Sequence, residues 1–439
     1  MSLPATWEEA GLLEIADSLD AQRVPVNRTE RDSRRGPVPY YGATGQVGWI
    51  DRPLFNEELC LVGEDGAPFL DRAKPKAYLI DGPSWVNNHA HVLRALRGTT
   101  SNRFLKYALD QVDYTPFVNG TTRLKLTKAA MGLIRIPLPP AAEQARIVAA
   151  IEEQFSRLDA GVTALERVRL NLKRARAAVL QAAVDGRLCA PAGRTALRSW
   201  RRLPVGDVIS FLDQGWSPRC ERAPSLDERS WGVIKTSAVQ PMRFDGTQNK
   251  RLPAGLAPRT EYEVAAGDLL ITRAGPRSRA GVCCLVRESR SQLMICDKVY
   301  RFRVANALML PEFLELALNA PETVSKIDSI KTGMSDSGVN LTQKTFQALE
   351  VPVPAVGEQA MIVAEVEREL SKLEVLDQLL VRIARRSDRL RSAVLAKAFS
   401  GKLVPQDPAD EPAPTLLERI AAARASQPKV ARRRRRVPS

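Results

Sequence analysis

Residues 136–188 and 351–403 align without a gap at an offset of 215, with 21 identities in 53 positions. The shared positions include Pro137/Pro352, Pro139/Pro354, Glu143-Gln144/Glu358-Gln359, Ile147-Val148/Ile362-Val363, Leu158/Leu373, Val179-Leu180/Val394-Leu395 and Gly186/Gly401. The segments before them match more faintly. Trp7 meets Trp200, Leu19-Asp20 meets Leu212-Asp213 and Pro25 meets Pro218 at an offset of 193. Phe104-Leu105 and Ala108-Leu109 meet Phe313-Leu314 and Ala317-Leu318 at 209, and Leu126-Thr127 meets Leu341-Thr342 at 215. Insertions of 16 and then 6 residues in the second copy explain the drift. A repeat of this length confines the chain to two like units, each a variable half followed by a similar segment.

The similar segments read as long helices. Pro139-Pro140 and Pro354 stop the strand before each one and tolerate the first turn after it. Glu143 and Glu358 suit the positive N-terminal end, and Gly186 and Gly401 stand where a glycine ends a helix. Ile151, Leu158, Leu165, Leu172 and Val179 recur every seven residues in the first copy. The second offers Val366, Leu373, Leu376, Leu380, Ile383, Leu390 and Val394, interrupted by Ser387. Roughly 42 residues at 1.5 Å each make a rod of about 60 Å. An amphipathic helix laid on its own domain is the simpler alternative, but heptads sustained this far favour a coiled coil. Paired antiparallel, the helices would place the two halves at opposite ends about a pseudo-two-fold axis.

The variable halves are predicted to be α+β. Apolar runs bounded by turns mark strands at Leu59–Val62, Ala77–Ile80, Leu269–Thr272, Gly281–Val286 and Val299–Val304. Phe104–Leu109 and Phe313–Leu318 mark one helix per half. The expected organisation is a first half at 1–135, a spacer helix at 136–190, a second half at 198–350, a second spacer helix at 351–405 and a tail at 406–439. In the tail, Thr415-x-x-Glu418 resembles a capping box before Leu416, Leu417 and Ile420, followed by a disordered basic end.

Composition narrows the class. The net charge is +15, of which Lys429 and Arg432 to Arg436 supply six, an excess that suits a polyanionic partner. A hydrophobic share of 44% supports packed cores, and an aromatic share of 5% argues against a stacking platform for single strands. No apolar run is long enough to span a membrane, and the first twenty residues lack a signal pattern, so a cytoplasmic place is expected. The six cysteines show no paired spacing and there are two histidines, so neither disulfides nor a structural metal is expected. No phosphate-binding GxxxxGK[ST] loop is present, and Leu138-Pro139-Pro140-Ala141 has only the prolines of an amino-methyltransferase motif. Neither a metal-dependent nuclease triad nor a Ser-His-Asp arrangement is apparent. No cofactor and no catalytic residue is expected.

Nucleic-acid chemistry has candidates. In the first half Arg23, Arg28, Arg31, Arg34 and Arg35 precede Tyr40, Tyr41 and Thr44, with Asn87, His89 and His91 further on, the two histidines alternating onto one strand face. Cations of this kind meet phosphates, while hydroxyls, amides and imidazoles reach base edges. The second half offers Lys235, Thr236, Arg273, Arg277, Arg279 and Lys298. At the offset of 209, Lys298 falls on His89 and Arg273 on Glu64. Different chemistry on one scaffold position is what two readers of different sequences would carry. For any single residue, a solvated basic loop is the competing reading.

Tyr40-Tyr41-Gly42-Ala43-Thr44-Gly45, the Gly63-Glu64-Asp65-Gly66 turn, Asn87-Asn88-His89 and both copies of the Pro-x-x-x-Glu-Gln-x-x-Ile-Val helix start make the chain resemble a type I restriction–modification specificity subunit, over roughly residues 3–405. The resemblance implies two target-recognition domains on an antiparallel helical spacer, each reading half of a split double-stranded DNA target. It implies no catalysis by the chain itself, and as partners two copies of an adenine methyltransferase subunit and a motor-endonuclease restriction subunit. The second half departs from the pattern, with Gln214-Gly215-Trp216-Ser217-Pro218 in place of the arginine-rich Tyr-Tyr-Gly stretch. A self-contained methyltransferase or endonuclease, and a coiled-coil scaffold without DNA, remain as alternatives.

Overall fold

A computed structural model describes residues 3–189, 200–305 and 307–425. The chain divides into two compact units, one of Met1–Leu165 with Val381–Ser439 and one of Glu166–Leu380. Each unit thus holds the start of one long helix and the end of the other. The cuts fall inside the helices, whereas the sequence suggested divisions at their starts.

Both units are α+β and share one frame. In the first, a four-stranded sheet runs in the order Ala16–Ser18, Ala90–Ala95, Leu59–Gly63, Ala77–Ile80. In the second, the order is Ile209–Gln214, Val299–Val304, Leu269–Thr272, Cys283–Leu285. The drifting offsets of the repeat are the sheet register. Glu8 pairs with Leu138 as Arg201 pairs with Val353. Ala16 pairs with Ala95 as Ile209 pairs with Val304, and Cys60 with Leu93 as Leu269 with Phe302. The helix Asn102–Gln111 or Pro311–Asn319 covers the sheet. Phe104, Leu105 and Leu109 bury against Cys60, Val62 and Leu93 in the first core, and Phe313 and Leu314 against Leu269, Ile271 and Phe302 in the second. The expected strands and helices are present, the Gly281–Val286 strand only as Cys283–Leu285, and the second unit has a further helix at Pro321–Ser329 where one helix was expected.

The units differ beyond this frame. The first adds a sheet in the order Gly45–Ile50, Val38–Gly42, Pro83–Val86, Phe55–Asn56, with Val38–Gly42 parallel to Pro83–Val86. The second adds Asn249–Arg251, Gly232–Ile234 and Leu293–Met294. Of the residues proposed to meet DNA, Tyr40 and Tyr41 lie in these strands and Thr44, Asn87 and Lys235 flank them.

The long helices are Ala141–Val184 and Val356–Ala398. The repeated glutamine fastens each helix start to its unit, and in the first copy the glutamate beside it does so too. Trp7 Nε1 donates to Glu143 Oε2 at 3.0 Å, and Gln144 Nε2 donates to the carbonyls of Thr99 and Pro139, both at 3.0 Å. In the second copy Gln359 Nε2 donates to Leu308 and Pro354 carbonyls, and its Oε1 accepts from Leu310 N at 2.7 Å. Burial pushes the Glu143 carboxyl up, against the pull of the Trp7 N–H and of Arg146. Both helices end at a left-handed glycine, Gly186 with φ 72° and Gly401 with φ 70°. Arg187 N then reaches back to Ala182 O, and Lys402 N to Lys397 O, each at 2.9 Å.

The helices pair antiparallel. In the first unit Phe155 lies under the Arg391 guanidinium, 4.9 Å from ring centroid to Cζ, and Asp159 pairs with the same arginine. In the second, Arg169 pairs with Asp377 and Arg176 with Glu374, the partner number falling as the first rises. Of the expected seam, Ile151, Leu172 and Val366 are buried, and Leu158, Leu165, Val179, Leu373, Leu380 and Val394 are half-buried. Leu376, Ile383 and Leu390 are not in it, being 47%, 48% and 43% exposed. Ser387 corrects the reading of that stretch. It continues the seven-residue register of Val366, Leu373 and Leu380 into Val394 and is itself buried, with its Oγ unpartnered. A residue three positions on from a seam residue stands about 60° to its side, given 3.6 residues per turn, and beside Leu390 the helices meet through an ion pair, Arg391 with Asp159.

A short helix at Ala413–Ala425 buries Ala413 and Leu416 on the first unit, and Ala413 N donates to Thr6 O at 3.0 Å. It begins two residues before Thr415, which therefore lies inside it and is not its cap. The basic end at 426–439 lies outside the described residues.

Candidate nucleic-acid interface

In the first unit the hairpin of Val38–Gly42 and Gly45–Ile50 turns through Ala43 and Thr44, with Gly42 opposite Gly45. Because Val38–Gly42 runs beside Pro83–Val86, Tyr40 lies opposite Trp85 and both are buried. Tyr40 Oη donates to Val26 O at 3.2 Å and Trp85 Nε1 to Val24 O at 3.0 Å, tying the arginine-rich segment to this sheet. Tyr40 is thus a support and not an exposed reader. Arg31 lies over the Tyr40 ring at 5.0 Å and Arg34 over Trp85 at 4.7 Å. Arg34 also pairs with Asp51 at 2.8 Å and Glu30 at 3.3 Å. Arg28 and Arg35 are exposed, the former only loosely paired with Asp32 at 3.9 Å.

Thr44 is exposed at the hairpin turn, and Tyr41 is half-buried with its ring 6.1 Å from that of Tyr78. The sheet then delivers Asn87-Asn88-His89. Asn87 is buried and its Oδ1 accepts from His89 N at 2.8 Å, so the side chain shapes the turn and one of the two groups needed to grip adenine is already engaged. Asn88 is exposed in the same turn. His89 is half-exposed, with Nδ1 2.7 Å from Asp65 Oδ1.

His91 is corrected. It is 1% exposed, with Nδ1 2.6 Å from Asp20 Oδ2 and Nε2 2.8 Å from the Leu126 carbonyl, so neither nitrogen is left for a base. Alternation along a strand does not put it on the same surface as His89, because His89 precedes the strand that begins at Ala90. Arg23 is likewise internal, donating to Glu64 at 2.8 Å and to the Ala90 carbonyl at 2.7 Å, with Asp20 beside it. Burial pushes the Asp20 carboxyl up, but His91, the Val92 N–H and Arg23 together hold it below its ordinary value. Arg123 and Lys125 complete this network through Asp65 and Glu64.

The second unit repeats the backbone and changes the chemistry. Glu64 N donates to His89 O at 2.7 Å, and at the matching place Arg273 N donates to Lys298 O at 2.8 Å. Leu126 N meets Glu64 O and Leu341 N meets Arg273 O, both at 2.7 Å. Arg273 Nη1 donates to the Asp297 carbonyl at 3.0 Å, and Lys298 is exposed. Lys298, Lys235 and Thr236 line one cleft of about 370 Å³ with Ser217, Cys220 and Lys250. Two arginines are corrected. Arg279 is spent inside, donating to the carbonyls of Thr236 and Val239 and to Gln240. Arg277 is ion-paired with Asp336 at 3.1 Å and Asp328 at 3.4 Å.

Sequence reasoning missed Lys250, Ser217, Asn88 and the exposed pair Val47 and Trp49, the last 56% exposed beside the arginine segment. Asn88 and Ser217 were within reach, inside stretches already singled out. Lys250, Val47 and Trp49 carried no local signal, because strand pairing decides that they face outward. Among the described residues no cluster of histidine, cysteine and carboxylate groups is arranged to hold a metal, and no helix is long and apolar enough to cross a membrane.

Residues 4–172 match the type I restriction modification DNA specificity domain. The chain is 38% identical over 184 residues to the type I restriction enzyme EcoEI specificity subunit of Escherichia coli, covering 42% of this chain and 30% of that relative. It is 28% identical over 344 residues to the EcoKI specificity subunit of Escherichia coli strain K12, covering 74% and 71% of the two chains. The fold matches a chain from a solved structure that describes complex assembly and conformational transition of the type I R-M system, with TM-score 0.63 and 18% identity over 92% of this chain and all of that one. With the duplicated unit and its paired helices, these matches make the chain similar to type I restriction enzyme specificity subunits, though the family model spans less than half of the chain and the chain spans less than a third of the EcoEI subunit.

Proposed function

We propose that this chain is the non-catalytic DNA-recognition subunit of a type I complex. It binds a bipartite double-stranded target, one part per unit, and docks two copies of an adenine methyltransferase subunit and a motor-endonuclease restriction subunit in the cytoplasm. The observation that carries the reading is the pair of matched backbone positions holding Glu64 and His89 in one unit and Arg273 and Lys298 in the other, within identical hydrogen bonds. Keeping a frame while exchanging the chemistry at its matched positions is what separate readers of two half-sites require.

In the first unit Thr44, Tyr41, Asn88 and His89 are the proposed base-facing groups, with Arg28, Arg31 and Arg35 toward phosphate. In the second the corresponding groups are Lys235, Thr236 and Lys298. The test is to express the chain with its methyltransferase partner in a host and to sequence the methylated sites. Two short words separated by a fixed gap are expected, and one contiguous word would refute the reading. A chimera keeping residues 1–135 and taking another subunit's second half is expected to change one word only.

A further inference from the structure

We propose that Lys235, Lys250 and Lys298 form a clamp for one backbone phosphodiester of the DNA, an inference that rests on the DNA-recognition reading above. The three lysines come from separate elements. Lys235 follows the strand Gly232–Ile234, Lys250 lies in Asn249–Arg251 opposite Val233, and Lys298 immediately precedes Val299–Val304. They line one cleft of about 370 Å³ together with the hydroxyl-bearing Ser217 and Thr236. None of the three is ion-paired among the described residues. The cleft's carboxylate, Asp297, accepts a hydrogen bond from the Ser217 hydroxyl and is paired with no cation among the described residues.

The first unit shows that this arrangement is not imposed by the frame. Around the matching turn, Arg23 and Lys125 are paired with Glu64, and Arg123 and His89 with Asp65. Cations gathered on a folded surface repel one another unless carboxylates or bound anions intervene. In the second unit the carboxylate position of Glu64 is taken by Arg273, and the cleft lining sets three lysines against the single carboxylate of Asp297, which leaves a net positive charge for an outside anion to balance. A phosphodiester supplies that anion and can also accept a hydrogen bond from the Thr236 hydroxyl. Lysine suits this role as a compact point charge on a flexible stem, whereas bidentate base reading favours the planar fork of arginine.

The experiment compares the full chain, co-expressed with its methyltransferase partner, with the triple variant Lys235→Gln, Lys250→Gln, Lys298→Gln. Binding is titrated over a range of salt concentrations on the true target and on a duplex with both half-sites scrambled. The clamp requires weaker binding to both duplexes by a similar factor, and a salt slope shallower by about one ion, given roughly 0.9 per neutralised phosphate. A slope shallower by about three ions would mean three separate phosphates and overturn the single-phosphate clamp. The triple arginine variant is expected to restore the slope, which separates lost charge from lost folding. A loss confined to the true target would make the lysines base readers and overturn the clamp, as would an unmoved slope. Stabilisation of the wild-type complex by inorganic phosphate without DNA, abolished in the glutamine variant, would name a free anion as occupant and also overturn it. A wild-type complex with no sequence-selective binding would sink the recognition reading itself, whatever the variant does.

Discussion

The two units place the same hydrogen bonds around the same turn and balance its charge in opposite ways. The first closes its charges internally, with His89, Arg123, Lys125 and Arg23 held by Asp65, Glu64 and Asp20. The second leaves Lys235, Lys250 and Lys298 without a carboxylate partner among the described residues and moves its ion pairs into the sheet, where Asp213 meets Arg301 and buried Asp268 meets Arg303 at 2.7 Å. The difference teaches that a duplicated frame is kept by backbone bonds and apolar core, while the charge on its turn is free to diverge.

Asp20 and Asp213 occupy matching positions and offer the sharpest way to break this comparison. Asp20→Ala strands buried His91 and Arg23 and the Val92 N–H, and is expected to cost the first unit about 3–5 kcal/mol. Asp213 is a third exposed, and Arg301 keeps the carbonyls of Glu261 and Glu263, so Asp213→Ala is expected to cost about 1 kcal/mol. Thermal melts with hydrogen exchange resolved by unit check both, and equal costs would dissolve the distinction. The Asp20 carboxyl sits below its ordinary 3.8 in the folded chain, so its contribution is full above that pH and fades as pH falls through the folded value. Asp20→Asn is expected to flatten the acid limb of the first unit's stability and to leave the second unit's unchanged.

The two helix starts differ less. Gln359 uses both ends of its amide, whereas the Oε1 of Gln144 is buried without a partner. Gln359→Ala is therefore expected to cost about 3 kcal/mol and Gln144→Ala about 2 kcal/mol, by denaturant unfolding.

At the DNA face, Asn88→Ala is expected to cost roughly 1–3 kcal/mol on the true target and little on scrambled duplex. Asn87→Ala is expected to weaken both, because it loosens the turn that presents its neighbours. Paired binding titrations decide, and a target-only loss for Asn87 would return it to the reading face. The smallest effect concerns the seam. Leu172 and Ser387 are matching positions, and filling the second with Ser387→Leu is expected to raise stability by about 1 kcal/mol, seen as a higher Tm.

The repeat, the ends of both long helices and the strands of the common frame were legible in the sequence. Each depends on signals within a few residues: proline and glycine at helix ends, seven-residue spacing, short apolar runs between turns. The offsets of 193, 209 and 215 carry the register of one copy onto the other, because like units pair alike, but which strands meet was shown only by the structure. The state of each charge was not legible. Arg23 finds Glu64 across 41 residues, His91 finds Asp20 across 71, and Arg279 caps carbonyls 40 and 43 residues away, so all three left the surface on which charge alone would have put them. Ser387 looked like an interruption and is a seam residue, because burial along a paired helix is set by the facing helix and not by the side chain's own polarity. Composition and spacing determine what a chain can fold into. Which of its polar groups remain open to a partner is decided by contacts between segments distant in sequence, since a buried charge must find its counter-charge wherever the fold brings one.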